Sequence, residues 1–332
     1  MSSPTLLLTG ATGFVGFKVL LNALEQGYTI RAAVRSSSKS ESLSSHPKVK
    51  ALAKPGQLSF VEVPDVTDQE AYFEAIKGVT YVIHLAAPLP SPFLDPQTGI
   101  YEPSIKSTLS MLHAAIKESS VKKVVIASSE FANIPYPPNA DRITADSRVP
   151  DIPGPYEDMV FAYSAGKVAA LNATDKFVRD NNPSFKVVNV FPGFIFGTDD
   201  RALKEPQELL ASTNRMLLGV ITSQDAPGPM PSGSVHVYDA ARVFISALND
   251  DAPSNIGAVT PHNWDDAWDV VQKNFPGAVK DGIFTKGSQP TFPVNWDSHQ
   301  TEKHFGFQFK SYKDMVVDVA GQFLELSGKG KN

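Results

Sequence analysis

The chain of 332 residues contains no cysteine. That absence excludes disulfide bonds, thiolate nucleophiles and cysteine-ligated metals. Histidine is scarce, with seven in all, and no grouping of His, Asp and Glu has metal-ligand spacing, so no metal is expected. No apolar run is long enough to cross a bilayer. The N-terminus, Met1-Ser2-Ser3-Pro4, lacks the basic start and apolar core of a signal peptide. Positive charge is not in excess either. The formal net charge is -5, which gives no electrostatic hold on nucleic acid or on an anionic membrane. Internal repeats and long low-complexity linkers are also missing. These absences leave the expectation of a soluble, cytoplasmic protein with neither a nucleic-acid nor a membrane partner.

What is present is a regular alternation. Hydrophobic residues make up 42% of the chain, enough for a substantial core. Near-continuous apolar runs at 6–8, 28–34, 58–63, 81–87, 123–128 and 186–191 read as strands of a parallel sheet covered on both faces. Helical patterns lie between them, at 14–26, after Asp68 toward Lys77, at 103–118 and around 163–179. Asp68 is placed to cap the second of these. Strand–helix alternation of this kind predicts an α/β fold with a doubly wound parallel sheet. After Pro192 the rhythm becomes irregular. A helix is expected over 202–218, a loop over 225–233, a short strand over 235–237 and a helix over 239–248. An amphipathic stretch over 312–326 is followed by a polar tail, 327–332, expected to be mobile. The division expected is a dinucleotide-binding part over 1–192, with 233–250 returning to it. Segments 193–232 and 251–326 would form a smaller, interleaved C-terminal lobe for substrate.

The first strand runs into Thr9-Gly10-Ala11-Thr12-Gly13-Phe14-Val15-Gly16. Without a Cβ, Gly10 and Gly13 let the backbone turn tightly and approach a pyrophosphate. The amides and positive dipole of the helix start then face the phosphates. Gly16 lets helix and strand pack closely. The second strand ends at Arg35, followed by three serines and Lys39, with no acid before Glu41. A 2′-hydroxyl would lack its acceptor there, whereas a 2′-phosphate would meet cationic and hydroxyl donors. NADP(H) is therefore the expected cofactor; a solvated basic loop is the other reading of the same residues. Arg31 lies on the same strand, but Arg35 sits at the C-terminal edge, where ligands bind in open α/β sheets.

Tyr163 and Lys167 are four apart and share one face of a helix. A cation beside a phenol lowers its pKa, so Tyr163 could exchange a proton near neutrality. A solvated helix face offers the same spacing. The fifth strand ends in Ser128-Ser129-Glu130, at the sheet edge where the glycine turn is also expected. A hydroxyl there can hold a substrate oxygen toward Tyr163. His84 and His236, near strand ends, read as structural. Phe93, Phe131, Phe194, Phe196 and Met216 are candidates for an apolar pocket.

Over essentially its whole length the chain resembles the extended short-chain dehydrogenase/reductases. It is most like their branch of dihydroflavonol, cinnamoyl-CoA and NADPH-dependent aldehyde/ketone reductases. The resemblance rests on the glycine motif, Val34-Arg35, Asp65-Val66, His84-Leu85-Ala86-Ala87-Pro88 and Val125-Ile126-Ala127-Ser128-Ser129. It continues through Tyr163…Lys167, Pro192-Gly193-Phe194-Ile195-Phe196-Gly197, Val235 to Asp239, and Asp297-Ser298 through Phe307. It implies a Rossmann fold and a catalytic set of Ser129, Tyr163 and Lys167. It implies cofactor contacts from Gly10, Thr12, Gly13, Phe14, Val15, Arg35, Lys39, Asp65, Val66, Ala86, Ala87, Tyr163, Lys167, Pro192 and Gly193. Pro88, Glu130, Phe131 and Phe194 would border the substrate. The chain departs from the pattern at Glu130-Phe131, where small residues usually follow the serines, at Gly166, commonly serine, and at Tyr238, often an acid. The activity implied is reduction of an aldehyde or ketone on a small to medium, partly apolar molecule, by a monomer or homodimer. An epimerase, dehydratase or lyase on the same scaffold is the first alternative. A non-catalytic dinucleotide sensor is the second.

Overall fold

The structure is a computed structural model in which residues 4–139 and 141–329 are described. Met1 to Ser3 of the expected N-terminus, and 330–332 of the expected tail, lie outside the described residues. In chain order the elements are β1 (Thr5–Thr9), α1 (Phe14–Glu25), β2 (Thr29–Val34), α2 (Ser37–Ser45), α3 (Pro47–Leu52), β3 (Leu58–Glu62), α4 (Gln69–Ala75) and β4 (Tyr81–His84). There follow α5 (Glu102–Ala115), β5 (Lys123–Ala127), α6 (Met159–Asn181), β6 (Lys186–Pro192), β7 (Phe194–Phe196), α7 (Asn214–Ile221), β8 (Met230–Pro231) and β9 (Gly233–His236). The last are α8 (Val237–Ser246), β10 (Asn255–Ala258), β11 (Thr260–Pro261), α9 (Asp266–Asn274), α10 (Pro276–Lys280), β12 (Thr291–Phe292), α11 (His299–Phe305) and α12 (Tyr312–Leu326).

Seven strands form the main sheet in the order β10-β6-β5-β4-β1-β2-β3. The pairs β1–β2, β1–β4, β2–β3, β4–β5 and β5–β6 are all parallel. Strand order therefore reverses direction beside β1, the switch point at which an open α/β sheet binds ligands beyond its strand ends. Leu6, Leu7, Leu8, Val82, Ile83, Val124 and Val125 are wholly buried. That is why these strands read as unbroken apolar runs rather than alternating ones.

The chain divides into two compact units. The first comprises Met1–Pro138, Ala145–Phe191 and Ala241–Ile256; the second comprises Asn139–Thr144, Pro192–Ala240 and Gly257–Asn332. The first unit contains a core built from sheet residues such as Leu7, Val82 and Val124 with Tyr72, Met111 and Phe177 from the helices. The second unit has its own core around Phe196, Leu217, Trp264, Phe284 and Met315.

Some local expectations change. The helix expected over 202–218 is broken into a 3-10 segment, Pro206–Ala211, and α7. Pro206 starts the first piece, and Ser212 is extended (φ -128°, ψ 178°), which ends it. The serine-rich stretch after Arg35 forms α2 rather than a loop, although only Leu43 of it is buried. Asp68 caps α4 as expected, accepting from the Glu70 N–H. The tail is not loose throughout. Ser327 donates to the Phe323 carbonyl, and the Lys329 N–H reaches Leu324 at 3.0 Å, closing α12 through a left-handed Gly328. Among the described residues no helix is long and apolar enough to cross a membrane.

Candidate active site

The glycine turn is built as its sequence requires. Gly10 adopts φ +74°, and a Cβ there would stand 3.1 Å from the Ala86 nitrogen. At Gly16 a Cβ would fall 2.0 Å from the Gly10 carbonyl oxygen, so α1 can enter this close to β1 only through glycine. Gly13 is the N-cap of α1. No side chain caps this end, and no acid lies in the first turn. The start of α1, with Phe14 and Val15, thus turns its positive dipole toward an anion. These features fit a pyrophosphate.

Thr9 holds the turn against the end of β4. Its hydroxyl accepts from the Leu85 and Ala86 N–H groups, each at 3.0 Å, and lies 2.9 Å from His84 Nδ1. With both acceptances made, the one Thr9 proton points at Nδ1, so neutral His84 carries its own proton on Nε2. Burial, with Lys167 nearby, brings His84 down to about 4, against a smaller opposing pull from the Ser107 backbone. It is a structural histidine, as read from the sequence. Thr9 was not singled out there; the available signal was a polar residue closing an apolar strand beside a second strand that closes on histidine.

At the end of β2, Arg35 and Lys39 are exposed, and Ser36 is the N-cap of α2, its hydroxyl paired with Ser38 Oγ at 3.0 Å rather than with a backbone amide of the helix. Two cations and a helix start converge there in a manner suited to a phosphate. Arg31 is occupied elsewhere. Its guanidinium donates to the carbonyls of Ala75 and Lys77, both at 2.8 Å, closing the end of α4. Asp65 accepts from the Thr67 N–H and hydroxyl, each at 2.8 Å, forming a tight turn after β3 with Val66 partly covered. Ala87 and Pro88, partly buried, continue the β4 end toward the exposed Leu89 and Phe93.

Beyond β5, Ser129 caps a 3-10 turn, Glu130–Ala132, by accepting from the Phe131 N–H at 3.3 Å. This turn packs on α6, which presents Tyr163 and Lys167. Ser129 hydrogen-bonds the Tyr163 phenol. Lys167 donates to the Ala127 carbonyl at 3.0 Å, and its Nζ lies 5.7 Å from the centre of the Tyr163 ring. Phe131 stands edge-on to Tyr163, centroids 5.8 Å apart at 81°. Serine, tyrosine and lysine thus meet within the first unit. Burial brings the Lys167 ammonium down to about 8. The expected lowering of the Tyr163 phenol is not found. Burial raises it, the Ser129 hydroxyl pulls it back down, and Glu130 raises it further. The lysine is turned to the Ala127 carbonyl, so desolvation outweighs its charge.

Gly166, in the turn between Tyr163 and Lys167, faces α5. A Cβ would meet Ser104 Cβ and Oγ at 3.0 Å and Tyr101 Cα at 3.3 Å. The departure from serine at this position therefore accompanies a close helix contact. Glu130 is only 1% exposed, and burial pushes its carboxyl up to about 8.

Pro192, Gly193 and Phe194 belong to the second unit. The Gly193 N–H donates to the Ala258 carbonyl at 3.0 Å, and a Cβ on it would strike the Gly233 backbone at 2.7 Å. Phe194 packs on Phe196 and Trp264 at the edge of that unit's aromatic core, and Phe196 is wholly buried within it. Phe196 is thus a core residue rather than a pocket wall. His236 accepts from the Tyr238 N–H at 3.1 Å and donates through Nε2 to Asp318 at 2.8 Å, a structural role.

A parallel sheet reversing beside a glycine-rich turn, with serine, tyrosine and lysine gathered beyond β5, defines a dinucleotide-binding enzyme fold. Residues 6–257 match the NAD dependent epimerase/dehydratase family, and the chain belongs to it. It is 32% identical to the ketoreductase CTB6 of Cercospora beticola, over 99% of this chain and 97% of that protein. It is 35% identical to the NAD-dependent epimerase/dehydratase ALT6 of Alternaria alternata, over 97% and 98%. Yeast methylglyoxal/isovaleraldehyde reductase Gre2, solved in complex with NADPH, superposes with a TM-score of 0.82 at 22% identity. That match covers 98% of this chain and 99% of Gre2 and shows the common fold.

Proposed function

We propose that the protein is an NADPH-dependent carbonyl reductase that converts an aldehyde or ketone to an alcohol. The observation that carries this is the meeting of Ser129, Tyr163 and Lys167 on elements that follow a cofactor-ready glycine turn. The similarity to CTB6, named a ketoreductase, supports the same chemistry. A reduced nicotinamide, when bound, supplies the hydride that adds to the carbonyl carbon. The start of α1 would hold its pyrophosphate, and Arg35 and Lys39 its 2′-phosphate. Ser129 donates to the carbonyl oxygen and orients it. Tyr163 transfers its phenolic proton to that oxygen as the C–H bond forms, giving the alcohol and a phenolate that regains its proton from water. The raised phenol suits this direction, since the donor must hold its proton at neutral pH. Lys167 provides positive charge beside the phenolate once it forms.

The substrate class, small to medium and partly apolar, rests on the family resemblance, with Pro88 and Phe131 of the first unit as candidate contacts. Placement in the cytoplasm and a monomeric or homodimeric state rest on the sequence reading alone. Replacing Tyr163 by Phe removes the proton while keeping the ring. NADPH consumption with a panel of aldehydes and ketones should fall by roughly 10²–10⁴-fold, with NADPH binding retained in fluorescence titration. Unchanged consumption would remove Tyr163 from the mechanism. An epimerase would show no net loss of NADPH absorbance even with wild-type protein.

A further inference from the structure

We propose that Asn133 is a positioning residue for the reduction: its buried side-chain amide, through the Ser147 carbonyl, ties the turn that carries Ser129 to a strut lying along α6, and so fixes Ser129 against Tyr163. The proposal rests on those two residues acting as in the proposed function. Ser129 and Asn133 are the two caps of one short 3-10 turn, Glu130–Ala132. At the front of the turn Ser129 bonds the Tyr163 phenol, and Phe131 stands edge-on to the same ring at 5.8 Å. At the back, Asn133 is 1% exposed and donates through Nδ2 to the Ser147 carbonyl. That carbonyl also accepts from Arg148 at 2.9 Å, so both of its lone pairs are used.

Residues 147–152 form the strut, and α6 holds them at three levels. Arg148 donates to Asp175 through Nε at 2.6 Å and through a terminal nitrogen at 3.4 Å. It also reaches the Ala145 carbonyl and Asn255 of β10, each at 3.0 Å, so with Ser147 all five of its N–H groups have an acceptor. Asn172 donates to the Val149 carbonyl at 3.1 Å and to the Asp151 carboxylate at 2.7 Å. Ile152 packs with Ala165 and Val168. Asp175, Asn172, Val168 and Ala165 all belong to the helix that presents Tyr163 and Lys167. The strut therefore moves with the proton donor, and Asn133 passes that fixed position to the Ser129 turn. As a device for stability alone the amide is a poor choice. Its Oδ1 is buried with no hydrogen-bond partner among the described residues, and burying an unpaired acceptor opposes folding. What the amide supplies is direction. Misplacing a group that orients the substrate by about 1 Å is enough to slow a reaction by roughly 10²-fold.

The test uses a prochiral ketone that wild-type protein reduces mainly to one enantiomer. The enantiomer ratio reports how the carbonyl is held and does not depend on how much of the protein is folded. Asn133→Leu keeps the volume and removes the amide. Its kcat should fall by roughly 10–100-fold with the KM for NADPH unchanged, and its enantiomer ratio should drop well below that of wild type. Arg148→Met, at an exposed position, loosens Ser147 from α6 and should act in the same direction more weakly. It decides the matter should Asn133→Leu fail to fold. A residue that merely packs would lower the active fraction and leave the enantiomer ratio in place, and that result overturns the proposal. A second readout needs no turnover. In protein labelled with 13C-tyrosine, the Tyr163 resonance is found by its loss in Tyr163→Phe, and Ser129→Ala shows where it lies without its hydroxyl partner. Either strut variant should carry the resonance toward that position, and a resonance left at the wild-type place overturns the idea. Wild-type protein that reduces no carbonyl would strike the proposed function instead, and the resonance alone would then decide the role of Asn133.

Discussion

At the scale of single residues, β2 shows how two like side chains acquire different work. Arg31 lies within β2 and Arg35 directly after it, yet Arg31 closes the end of α4 through two carbonyls at 2.8 Å. Arg35 stays exposed at the strand end beside the start of α2. Arg35→Asp should therefore raise the KM for NADPH far more than that for NADH, because it sets a carboxylate where the 2′-phosphate is expected. Arg31→Ala should leave the NADPH/NADH preference alone and lower stability by about 1–2 kcal/mol. Steady-state kinetics with both coenzymes and urea melts separate the two. Equal weakening of NADPH and NADH in Arg35→Asp would mean that another group reads the phosphate. The place of Arg35 at the end of β2 was legible in the sequence, because a strand end is a local fact. The protonation of Tyr163 was not. Its environment is assembled from Ser129, Glu130 and Phe131, more than thirty positions away in sequence, and spacing along one helix cannot report desolvation by another element.

At the scale of elements, the parallel strands were legible because burial on both faces leaves an unbroken apolar record. What escaped were pieces whose stability comes from elsewhere. The helix α2 buries only Leu43, so it carries no apolar period. Strands β8 and β12 are two residues each, paired at Met230–Thr291 and Pro231–Phe292, and too short to leave a pattern. Gly166 illustrates a third kind of gap. Read along the chain, a mid-helix glycine only weakens α6, by about 1 kcal/mol relative to alanine. In the structure it is where α6 meets α5 closely, with Ser104 3.0 Å from a built Cβ. Gly166→Ala should consequently fail to stabilise the protein despite its better helix propensity. Combining it with Ser104→Gly, which clears the space, should leave the pair more stable than the sum of the single changes predicts. A double-mutant cycle from urea melts measures this coupling. Strict additivity would show that α5 gives way without cost and that the close contact is incidental.

The whole molecule answers to acid through groups that no catalytic argument uses. Two histidines, His84 in the first unit and the half-buried His262 in the second, are both brought down to about 4 chiefly by burial. In the unfolded chain each would titrate near 6.5. Between about 4 and 6.5 the unfolded state therefore binds the extra proton, and folding stability falls as pH is lowered through that window. One such histidine is worth about 1.4 kcal/mol per pH unit there. His262 stacks on Tyr312 at 4.2 Å and meets Trp264 edge-on at 4.9 Å, within the aromatic core of its unit. All three tryptophans, Trp264, Trp268 and Trp296, belong to that same unit, so tryptophan emission follows its unfolding. His262→Phe keeps a ring in the stack and removes the titration. Urea melts read by tryptophan emission at pH 7, 6, 5 and 4.5 should lose about one proton's worth of slope in His262→Phe relative to wild type. His84→Gln should leave the slope of the tryptophan signal as it is, because its proton is taken up in the other unit. If His262→Phe melts with the wild-type pH dependence, the proton that destabilises the second unit in acid is taken up by some other group.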